Sequence, residues 1–324
     1  MSRTLNIALV GLGDIATKAY LPLLAATPGI ALTLCTRDAA RRAALGAQYR
    51  VPEGVASVDA LLAGPRVDAA FVHVATPAHE PVVAALLSAG VPVFVDKPLA
   101  DTLPACERLA ALARDRGLPL AVGFNRRFAP RVRAMAGAGG RTLVRCDKHR
   151  ANLPDAVRRV VFDDFIHVVD TLRYLAPRPL APGRGEAPVD LDVDIGIDGV
   201  VDPAGRLRQV SLRLAGDGFV LQGSMNRDAG AAEEWLEVHA SGHTWRTEGL
   251  STMLHLHEGR PVVHAFGDWE PVLWRRGFPQ MVQAFLATVR GEAPLEPALD
   301  DALATHALCE EIVRRLEGRV RSQT

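Results

Sequence analysis

The chain has 324 residues with 37 basic and 37 acidic side chains, so its formal net charge is zero. This balance gives no indication of binding to nucleic acid or to an anionic membrane, and the short basic stretch at 126–133 does not change that. No apolar run reaches the roughly 20 residues of a membrane helix, and the length is sufficient for two hydrophobic cores.

The N-terminal segment MSRTLNIALVGLG has one arginine and a short apolar run, but it lacks the small-residue cleavage site of a signal peptide. The cysteines, at 35, 106, 146 and 309, lie far apart and form no CxxC pair. Such spacing indicates reduced thiols and argues against a disulfide framework or a zinc site. These features predict a cytoplasmic protein.

Apolar segments and amphipathic patterns alternate through the first 122 residues. Strands are predicted at 5–11, 30–38, 67–75, 91–96 and 118–124, and helices at 57–64, 79–90 and 103–117. Alternation of strand and helix is typical of a doubly wound parallel sheet. We therefore predict an α/β, dinucleotide-binding Rossmann domain over residues 1–122.

The pattern changes after residue 122. A helix is predicted near 128–138, a strand at 142–150 and a helical segment, FDDFIHVVD, at 162–170. Alternating segments separated by glycine-containing turns fill 188–265, and two amphipathic helices follow near 276–290 and 299–317. This predicts an α+β domain with a mostly antiparallel sheet over residues 123–324.

The motif GLGDIA (11–16) directly follows the first strand and fits the G-x-G-x-x-A form of the dinucleotide fingerprint. Gly11 permits a tight turn, Gly13 lets the backbone approach a pyrophosphate, and Ala16 lets the helix pack close to the strand. Pro22 lies where the first helix should continue, so we expect that helix to break or restart near Tyr20.

The end of the second strand is where an acidic residue would bind the ribose hydroxyls of NAD. Thr36 and Arg37 occupy that position instead. A hydroxyl and a guanidinium can bind a 2′-phosphate, which an acid would repel. The sequence therefore favours NADP, with NAD as the alternative if Arg37 only stacks on adenine or faces solvent. Asp38 is predicted to cap the next helix.

Two further motifs follow predicted strands of the first domain. ATPAH (75–79) and DKP (96–98) each begin at the carboxyl end of a strand, the edge of an open α/β sheet where ligands bind. Lys97 can donate a hydrogen bond to a substrate oxygen there and stabilise developing negative charge. His79 either contributes to the site or only begins a helix.

FDDFIHVVD places Asp163, His167 and Asp170 at steps of four and three. In an α-helix this spacing puts the three side chains on one face, apart from the apolar stripe of the same helix. Imidazole suits proton transfer near neutral pH. We expect Asp163 and His167 to act on a substrate, and Asp170 to satisfy local contacts.

In this order and spacing GLGDIA, TPAH, DKP, GFNRRF (123–128) and FDDFIHVVD resemble the Gfo/Idh/MocA family of oxidoreductases over nearly the whole chain. The resemblance implies an N-terminal Rossmann domain and a C-terminal domain with an open, mostly antiparallel sheet. It also implies NAD- or NADP-dependent oxidation or reduction of a carbinol in a sugar or polyol. The family's Glu-Lys-Pro stands here as Asp96-Lys97-Pro98, and VVF (160–162) replaces the two glycines usual before its Asp-x-x-x-His pair.

The resemblance also implies roles for individual residues. The implied catalytic residues are Asp163, His167 and Lys97. Asp163 would bind a substrate hydroxyl, His167 would transfer its proton and Lys97 would polarise the oxygen. The expected substrate contacts are Lys97, Asn125, Arg126, Asp163 and His167. The expected cofactor contacts are Gly11, Gly13, Asp14, Ile15, Thr36, Arg37, Thr76, Pro77, His79, Asp96 and Lys97.

Two other functions are compatible with these residues. Asp163, His167 and Asp170 could bind a divalent metal, but their spacing is not a recognised metal signature, and we expect no metal. The chain could also bind a dinucleotide and a sugar without turnover, as a sensor or regulator. The presence of Lys97, Asp163 and His167 together favours an enzyme.

Two expectations concern the C-terminal sheet. His255 and His257 share one face of a predicted strand, where a sheet-surface role is favoured over metal binding. An exposed sheet usually needs covering, so we expect a homodimer or homotetramer built through it. The other partner expected is a small sugar or polyol substrate.

Overall fold

The computed structural model describes residues 3–180 and 192–321. The chain divides into two compact units, one formed by residues up to 123 together with 278–299, and the other by 124–277 together with residues from 300 onward. Part of the segment at 188–265, for which strands are predicted, lies outside the described residues. The sequence assigns 278–299 to the second domain, whereas the structure places this segment in the first unit.

The first unit is built on a six-stranded parallel sheet of the Rossmann type, as predicted. The strand order is β3-β2-β1-β4-β5-β6, so the order reverses between β1 and β4, the usual binding point of such sheets. The strands β4, β5 and β6 are buried throughout, which explains their unbroken apolar sequences. The strands are β1 (Leu5–Val10), β2 (Ile30–Cys35), β3 (Glu53–Val55), β4 (Ala69–Val72), β5 (Val93–Val95) and β6 (Leu120–Val122).

The helices of both units agree with most of the predicted segments. In the first unit the described α-helices are α1 (Leu21–Ala26), α2 (Ala39–Tyr49), α3 (Val58–Leu62), α4 (His79–Ser88) and α5 (Leu103–Asp115). In the second unit they are α6 (Pro130–Ala136), α7 (Val157–Val160), α8 (Ile166–Leu175) and α9 (Val272–Arg275). Two more follow, α10 (Phe278–Val289) in the first unit and α11 (Leu299–Arg321), whose residues from 300 onward belong to the second.

The first helix changes type near Tyr20 but does not break there, since Tyr20 and Leu21 both keep right-handed helical backbone angles. A π-helical turn spans Ala16–Tyr20, and α1 then begins at Leu21 with Pro22 in its first turn. The change from π- to α-helical hydrogen bonding falls where Pro22, which has no amide hydrogen to donate, enters the helix.

Aromatic packing explains why α10 belongs to the first unit. The ring of Phe285 meets Phe71 of β4 edge-on, with 5.3 Å between ring centroids, and meets Phe94 of β5 at 5.6 Å. All three rings are buried. An edge-to-face pair gains energy beyond the area it buries, so this helix covers one face of the parallel sheet.

The second unit contains a nine-stranded mixed sheet in the order β15-β14-β13-β12-β7-β11-β10-β8, with β9 also paired to β10. Strands β7 and β11 pair in parallel, and the other neighbouring strands pair antiparallel, as the predicted hairpins require. The strands are β7 (Arg141–His149), β8 (Asp155–Ala156), β9 (Asp194–Val201), β10 (Arg206–Gly216), β11 (Phe219–Asn226), β12 (Glu233–Ala240), β13 (His243–Glu248), β14 (Met253–His257) and β15 (Arg260–His264).

Helix α8 lies against one face of this sheet. A Cβ atom on Gly223 of β11 would come within 2.4 Å of Val168 Cγ1 and 2.9 Å of Leu172 Cδ1. Both distances are shorter than atoms can approach, so the absence of a side chain at Gly223 is what lets α8 pack this closely.

Two predictions from composition can be compared with the structure. All four cysteines are free and buried. Within residues 3–180 and 192–321, none of the helices has the length and apolar character needed to span a bilayer.

Candidate active site

The glycine-rich turn follows β1 at the point where the strand order reverses. Gly11 has a φ of +85°, and its amide donates a hydrogen bond to the Cys35 carbonyl at 2.9 Å. A Cβ atom at Gly11 would lie 2.7 Å from the carbonyl carbon of His73 and from the amide of Val74. Both the backbone angle and the close approach exclude a side chain there. The turn thus has the geometry that a bound pyrophosphate requires.

Gly13, Asp14 and Ile15 are exposed after the buried side chain of Leu12. Asp14 forms an ion pair with Lys18 at 2.7 Å one helical turn later. Thr17 Oγ1 donates a hydrogen bond to the carbonyl of Gly13 at 3.0 Å. These side chains leave the start of the π-helical turn open to a ligand.

The end of β2 has the features predicted from its sequence. Asp38 caps α2, since its side chain accepts a hydrogen bond from the Arg41 amide at 2.9 Å. The Thr36 carbonyl accepts from Arg42 Nη1 at 2.6 Å, which fixes the backbone of the loop. The side chain of Arg37 is exposed and has no ion pair with any described residue, so its guanidinium is available to a ligand.

His79 connects the loop after β4 to the loop after β5 in the first unit. Its ring is 2% exposed. Its Nδ1 lies 2.7 Å from the Pro98 carbonyl and its Nε2 lies 3.0 Å from the Val74 carbonyl. Because both ring nitrogens are used within the protein, His79 fixes the turn that carries Lys97 relative to the loop after β4. Lys97 itself is half-buried.

A buried polar group lies beneath these loops and was not expected from the sequence. The Tyr20 hydroxyl donates to Asp96 Oδ1 at 3.3 Å. Burial raises the pKa of the Asp96 carboxyl, an effect that nearby Lys97 opposes. Burial, and then the charge of Asp96, raises the pKa of the Tyr20 hydroxyl well above its ordinary value.

His73 completes this group. Its ring stacks on Tyr20 with 3.9 Å between centroids. Burial, and to a smaller extent the charge of His79, lowers its pKa to about 3, so the imidazole is neutral. Neither ring nitrogen has a hydrogen-bond partner among the described residues.

In the second unit, Asp163 and His167 lie on either side of a change in helix type. Asp163 belongs to a π-helical turn, Val161–Phe165, whereas His167 lies in the first turn of α8. The Asp163 side chain is 38% exposed, and Arg159 Nε lies 3.8 Å from one of its oxygens. His167 is half-buried. The continuous α-helix assumed for FDDFIHVVD is therefore wrong at Asp163.

Asp170 does not share the environment of the other two residues. It is 1% exposed and accepts hydrogen bonds from Arg127 Nε at 2.9 Å and Nη2 at 2.6 Å. Thr305 Oγ1 donates a third bond at 3.1 Å. Asp170 thus holds α8 within the second unit through residues 43 and 135 positions away, so the expectation of local contacts for it is wrong. Among the described residues there is no group of three or more metal-ligating side chains with metal-site geometry.

Asn125 and Arg126 are both buried at the start of the second unit. Asn125 Nδ2 donates to the Arg276 carbonyl at 2.8 Å. Arg126 makes a bidentate pair with Glu234, at 2.5 and 2.9 Å. Burial alone would raise the pKa of Glu234, but Arg126 and Lys148 lower it to about 2.

Comparison with known proteins decides the family. The family model for oxidoreductases with an NAD-binding Rossmann fold matches residues 5–124. The YceM protein of Salmonella typhimurium is 34% identical over 96% of this chain and 98% of its own length. A Gfo/Idh/MocA family oxidoreductase from Vibrio cholerae, known from its crystal structure, has a TM-score of 0.88 and 32% identity over 98% of this chain and 99% of its own. The chain belongs to the Gfo/Idh/MocA family.

The resemblance drawn from the motifs is thereby confirmed. A more distant relative of this Gfo/Idh/MocA chain, the myo-inositol dehydrogenase Hyg17 of Streptomyces leeuwenhoekii, is 37% identical over 54% of this chain and 57% of its own length. The family fold accounts for the parallel sheet with its glycine turn and for the mixed sheet of the second unit.

Sequence reasoning missed one large cluster in this Gfo/Idh/MocA chain. Lys148 at the end of β7 is buried, and its ammonium contacts Asp164. Asp164 also accepts hydrogen bonds from Arg150 and Arg227. The sequence of the strand alone does not show whether Lys148 or Arg150 faces inward. The sequence shows an aspartate at 164, but nothing in it indicates that this residue pairs with three cations.

The histidines of the edge hairpins form a stacked group on the sheet surface. His243 and His257 stack with 4.0 Å between ring centroids, and His243 Nδ1 lies 2.9 Å from His255 Nε2. Burial and the neighbouring histidines lower the pKa of His255. This arrangement agrees with the sheet-surface role favoured for His255 and His257.

Proposed function

We propose that this chain is an NAD(P)-dependent dehydrogenase or reductase that transfers a hydride between nicotinamide and a carbinol or carbonyl carbon of a sugar or polyol. The observation that carries the proposal is the placement of Lys97. It follows β5 at the same sheet edge as the glycine turn after β1, and His79 holds its turn in position. The name of the relative Hyg17, a myo-inositol dehydrogenase, supports a polyol-like substrate.

The residues present fit a dinucleotide. Gly11 lets the turn pass close to the backbone after β4, where a Cβ atom would collide, and Asp14 and Ile15 are exposed just before the π-helical turn. Backbone amides of this turn would bind the pyrophosphate. The nicotinamide, when bound, supplies or accepts the hydride.

The protein's own residues would handle the substrate oxygen and its proton. Lys97 donates a hydrogen bond to the reacting oxygen and stabilises its negative charge. His167 takes the hydroxyl proton during oxidation and returns it during reduction. Asp163, which is partly exposed, binds a substrate hydroxyl. Asn125 and Arg126 contribute to the substrate-binding surface. Hydrogen bonds within the second unit hold their side chains in place.

We further propose a preference for NADP over NAD. No acidic side chain stands at the end of β2 to bind the ribose hydroxyls, and Asp38 is occupied as a helix cap. The exposed guanidinium of Arg37 and the hydroxyl of Thr36 suit a 2′-phosphate. His79 is given a positioning role in this proposal, since both of its ring nitrogens bind backbone carbonyls.

The test is a turnover assay with a panel of polyols, sugars and their ketones, followed by nicotinamide absorbance. We expect wild-type protein to turn over at least one compound, and Lys97→Met and His167→Asn each to lose about 100-fold or more in kcat. Nicotinamide fluorescence would show that both variants still bind cofactor. His257→Asn, a change at an exposed hairpin, is the control and should keep wild-type activity.

Two outcomes would contradict the proposal. Absence of nicotinamide binding would remove its basis. Binding without turnover of any compound, together with an unchanged ligand response in Lys97→Met, would instead support a sensor or regulator.

A further inference from the structure

The second unit contains a buried cluster with more cations than carboxylates. Its cations are Arg126, Lys148, Arg150 and Arg227, and its carboxylates are Asp164 and Glu234. Each carboxylate is at least partly desolvated, with side-chain exposures of 14% for Asp164 and 11% for Glu234. Burying a charge without a partner is expensive, so the surplus of positive charge needs an explanation.

The hydrogen bonds show where the surplus lies. Each carboxylate oxygen of Glu234 accepts a hydrogen bond from Arg126. Asp164 serves Lys148, Arg150 and Arg227 at once, with Arg150 Nε at 2.8 Å and Arg227 Nη1 at 2.6 Å. A single carboxylate thus faces three cations.

Lys148 is the least satisfied of these cations. Its ammonium has three donors, and among the described residues it makes one hydrogen bond, to Asp164. The side chain is 5% exposed, so bulk water does not replace the missing partners. Arg150, at 35% exposure, reaches the protein surface next to it. The cluster thus meets solvent through Arg150, whereas the side chains of the other three cations are 10% exposed or less.

We propose that this cluster is a subsite for an anionic group of the substrate, a carboxylate or a phosphate, with Lys148 as its principal ligand. The location of the substrate rests on the proposed function, because Asp164 directly follows Asp163, the residue proposed to bind a substrate hydroxyl. Lys148 and Arg150 would supply charge-assisted hydrogen bonds to the anion. The chain would then act on a sugar acid or a sugar phosphate in preference to a neutral polyol.

The protonation of Lys148 supports this assignment. Burial and the charge of Arg126 lower its pKa to about 7, although Asp164 and Glu234 oppose the shift. A bound anion would add a negative neighbour and favour the charged ammonium. The titratable and charged groups that act on Lys148 are Asp164 of the π-helical turn, Arg126 of the turn at 125–128, Glu234 of β12, Arg150 after β7 and Cys146 within β7.

The test uses small anions, so it does not depend on knowing the substrate. Protein saturated with NADPH is titrated calorimetrically with sulfate, which represents a phosphate group, and with acetate, which represents a carboxylate. We expect saturable binding of at least one anion, and a loss of about tenfold or more in affinity in Lys148→Met. Arg145→Met is the matched control, because Arg145 lies on the opposite face of β7 with its side chain 53% exposed. It should bind like wild type.

The same titration gives a pH dependence that a purely structural cluster would not produce. The charge of sulfate is constant near neutral pH, so only the protein titrates. Wild-type affinity should fall as the pH rises from about 6 to about 9, because Lys148 loses its proton. Lys148→Arg should retain binding and lose this dependence, since arginine stays protonated.

Either of two results would overturn the subsite. One is the absence of saturable binding of both anions to wild type. The other is an equal effect of Lys148→Met and Arg145→Met. If wild type then still binds NADPH and turns over a neutral polyol, only the subsite is rejected and the proposed function stands. If wild type does not bind NADPH, the proposed function is the one that is rejected.

Discussion

Asp163 and Asp164 are neighbours in the chain and have the same side chain, yet they stand in different environments. Asp163 is 38% exposed, and Arg159 Nε lies 3.8 Å from one of its carboxylate oxygens. Asp164 is 14% exposed and binds three cations. Their surroundings suit different roles: we propose that Asp163 binds a substrate hydroxyl, whereas Asp164 is the shared ion-pair partner of Lys148, Arg150 and Arg227.

Replacing each carboxylate should separate these tasks. Asp164→Asn leaves three cations without a counter-charge, and we expect the free energy of unfolding to fall by about 3–5 kcal/mol, as when one partner of a buried ion pair is removed. Asp163→Asn is the matched control and should change stability by about 0.5 kcal/mol or less while lowering kcat. Urea denaturation followed by circular dichroism measures the first effect. Similar stability losses in both variants would contradict the assignment.

The stabilising effect of Asp164 should depend on pH. Burial alone would raise the pKa of Asp164, but Arg150 and Lys148 hold it well below its usual range. A carboxyl whose pKa is lower in the folded state stabilises fully above the unfolded value of about 3.9 and loses this effect as pH falls through the folded pKa. Between about pH 4 and pH 2 the wild type should therefore lose stability more steeply than Asp164→Asn. Parallel curves would show that Asp164 is not the group responsible.

Arg37 should determine cofactor choice. Its exposed guanidinium has no ion pair among the described residues, and a hydrogen bond to a charged group is worth about 1.5–3 kcal/mol. Arg37→Ala should weaken NADPH binding by roughly 10- to 100-fold and leave NADH binding nearly unchanged, as measured by nicotinamide fluorescence. Arg41→Ala, an exposed change one turn into α2, is the control. Equal weakening of both cofactors would remove the basis for an NADP preference.

Residue-level features were predictable where they are local. The glycine turn and the Asp38 cap depend on residues within a few positions of each other. Tyr20 and Asp96, in contrast, are 76 residues apart. They meet only because the fold brings the π-helical turn after β1 close to the end of β5. Lys148 and Asp164 are likewise joined by tertiary structure. No local pattern reports such pairs.

At the scale of elements, the segment carrying Asp163 and His167 is the most informative. Its apolar spacing predicted a helix correctly, but the π-helical turn at Val161–Phe165 was invisible to periodicity. Such a turn inserts a residue into the helical register, and π-bulges often occur at functional sites. The insertion explains why Asp170 faces the interior, bound to Arg127, while Asp163 remains partly exposed.

The packing of α8 against the sheet should be sensitive to one methyl group added at Gly223. A Cβ atom at Gly223 would lie 2.4 Å from Val168 Cγ1. Gly223→Ala should therefore cost about 1–3 kcal/mol by overpacking and lower kcat, because Val168 follows His167. Gly196→Ala is the control, since its Cβ would lie 3.5 Å from Arg213, an ordinary contact.

The partner substitution completes this test. Val168→Ala, combined with Gly223→Ala, removes the nearer of the two clashing methyl groups and should restore part of the stability lost, as measured by urea denaturation. Additive losses in the double variant would show that α8 does not meet β11 in this way.

At the scale of the whole molecule, the nine-stranded sheet has a face that is largely polar. Arg145, Gln222 and Glu237 lie side by side across neighbouring strands of this face. Trp235, which is 45% exposed, lies on β12 along the same face. The edge strand β15 also exposes Val262 and Val263, at 48% and 64%. Exposed edges and faces of this kind favour association with another chain.

We expect this face to form a homodimer or a tetramer. Light scattering on wild-type protein should give at least twice the monomer mass of 34.7 kDa. Trp235→Arg should weaken the association by about tenfold or more, whereas Trp269→Arg, at a side chain that is 96% exposed, should not. A monomeric mass for wild type would reject the expectation.

The two-unit organisation itself was foreseen only in part. Strand and helix alternation predicted the Rossmann sheet, because each strand and helix has a pattern that extends over only a few residues. The membership of α10 was not visible, since its partners Phe71 and Phe94 lie about 200 positions earlier in the chain, and amphipathic patterns do not say which core a helix joins.

The position of α10 has a consequence for how the protein is made. Domains generally fold as units during synthesis, with the N-terminal one first. Here the ribosome must translate the chain as far as α10 (Phe278–Val289) before Phe285 can cover Phe71 and Phe94. Until then the nascent Rossmann sheet lacks the ring that packs on Phe71 and Phe94 in the folded protein. Its completion must wait until most of the second unit has already emerged.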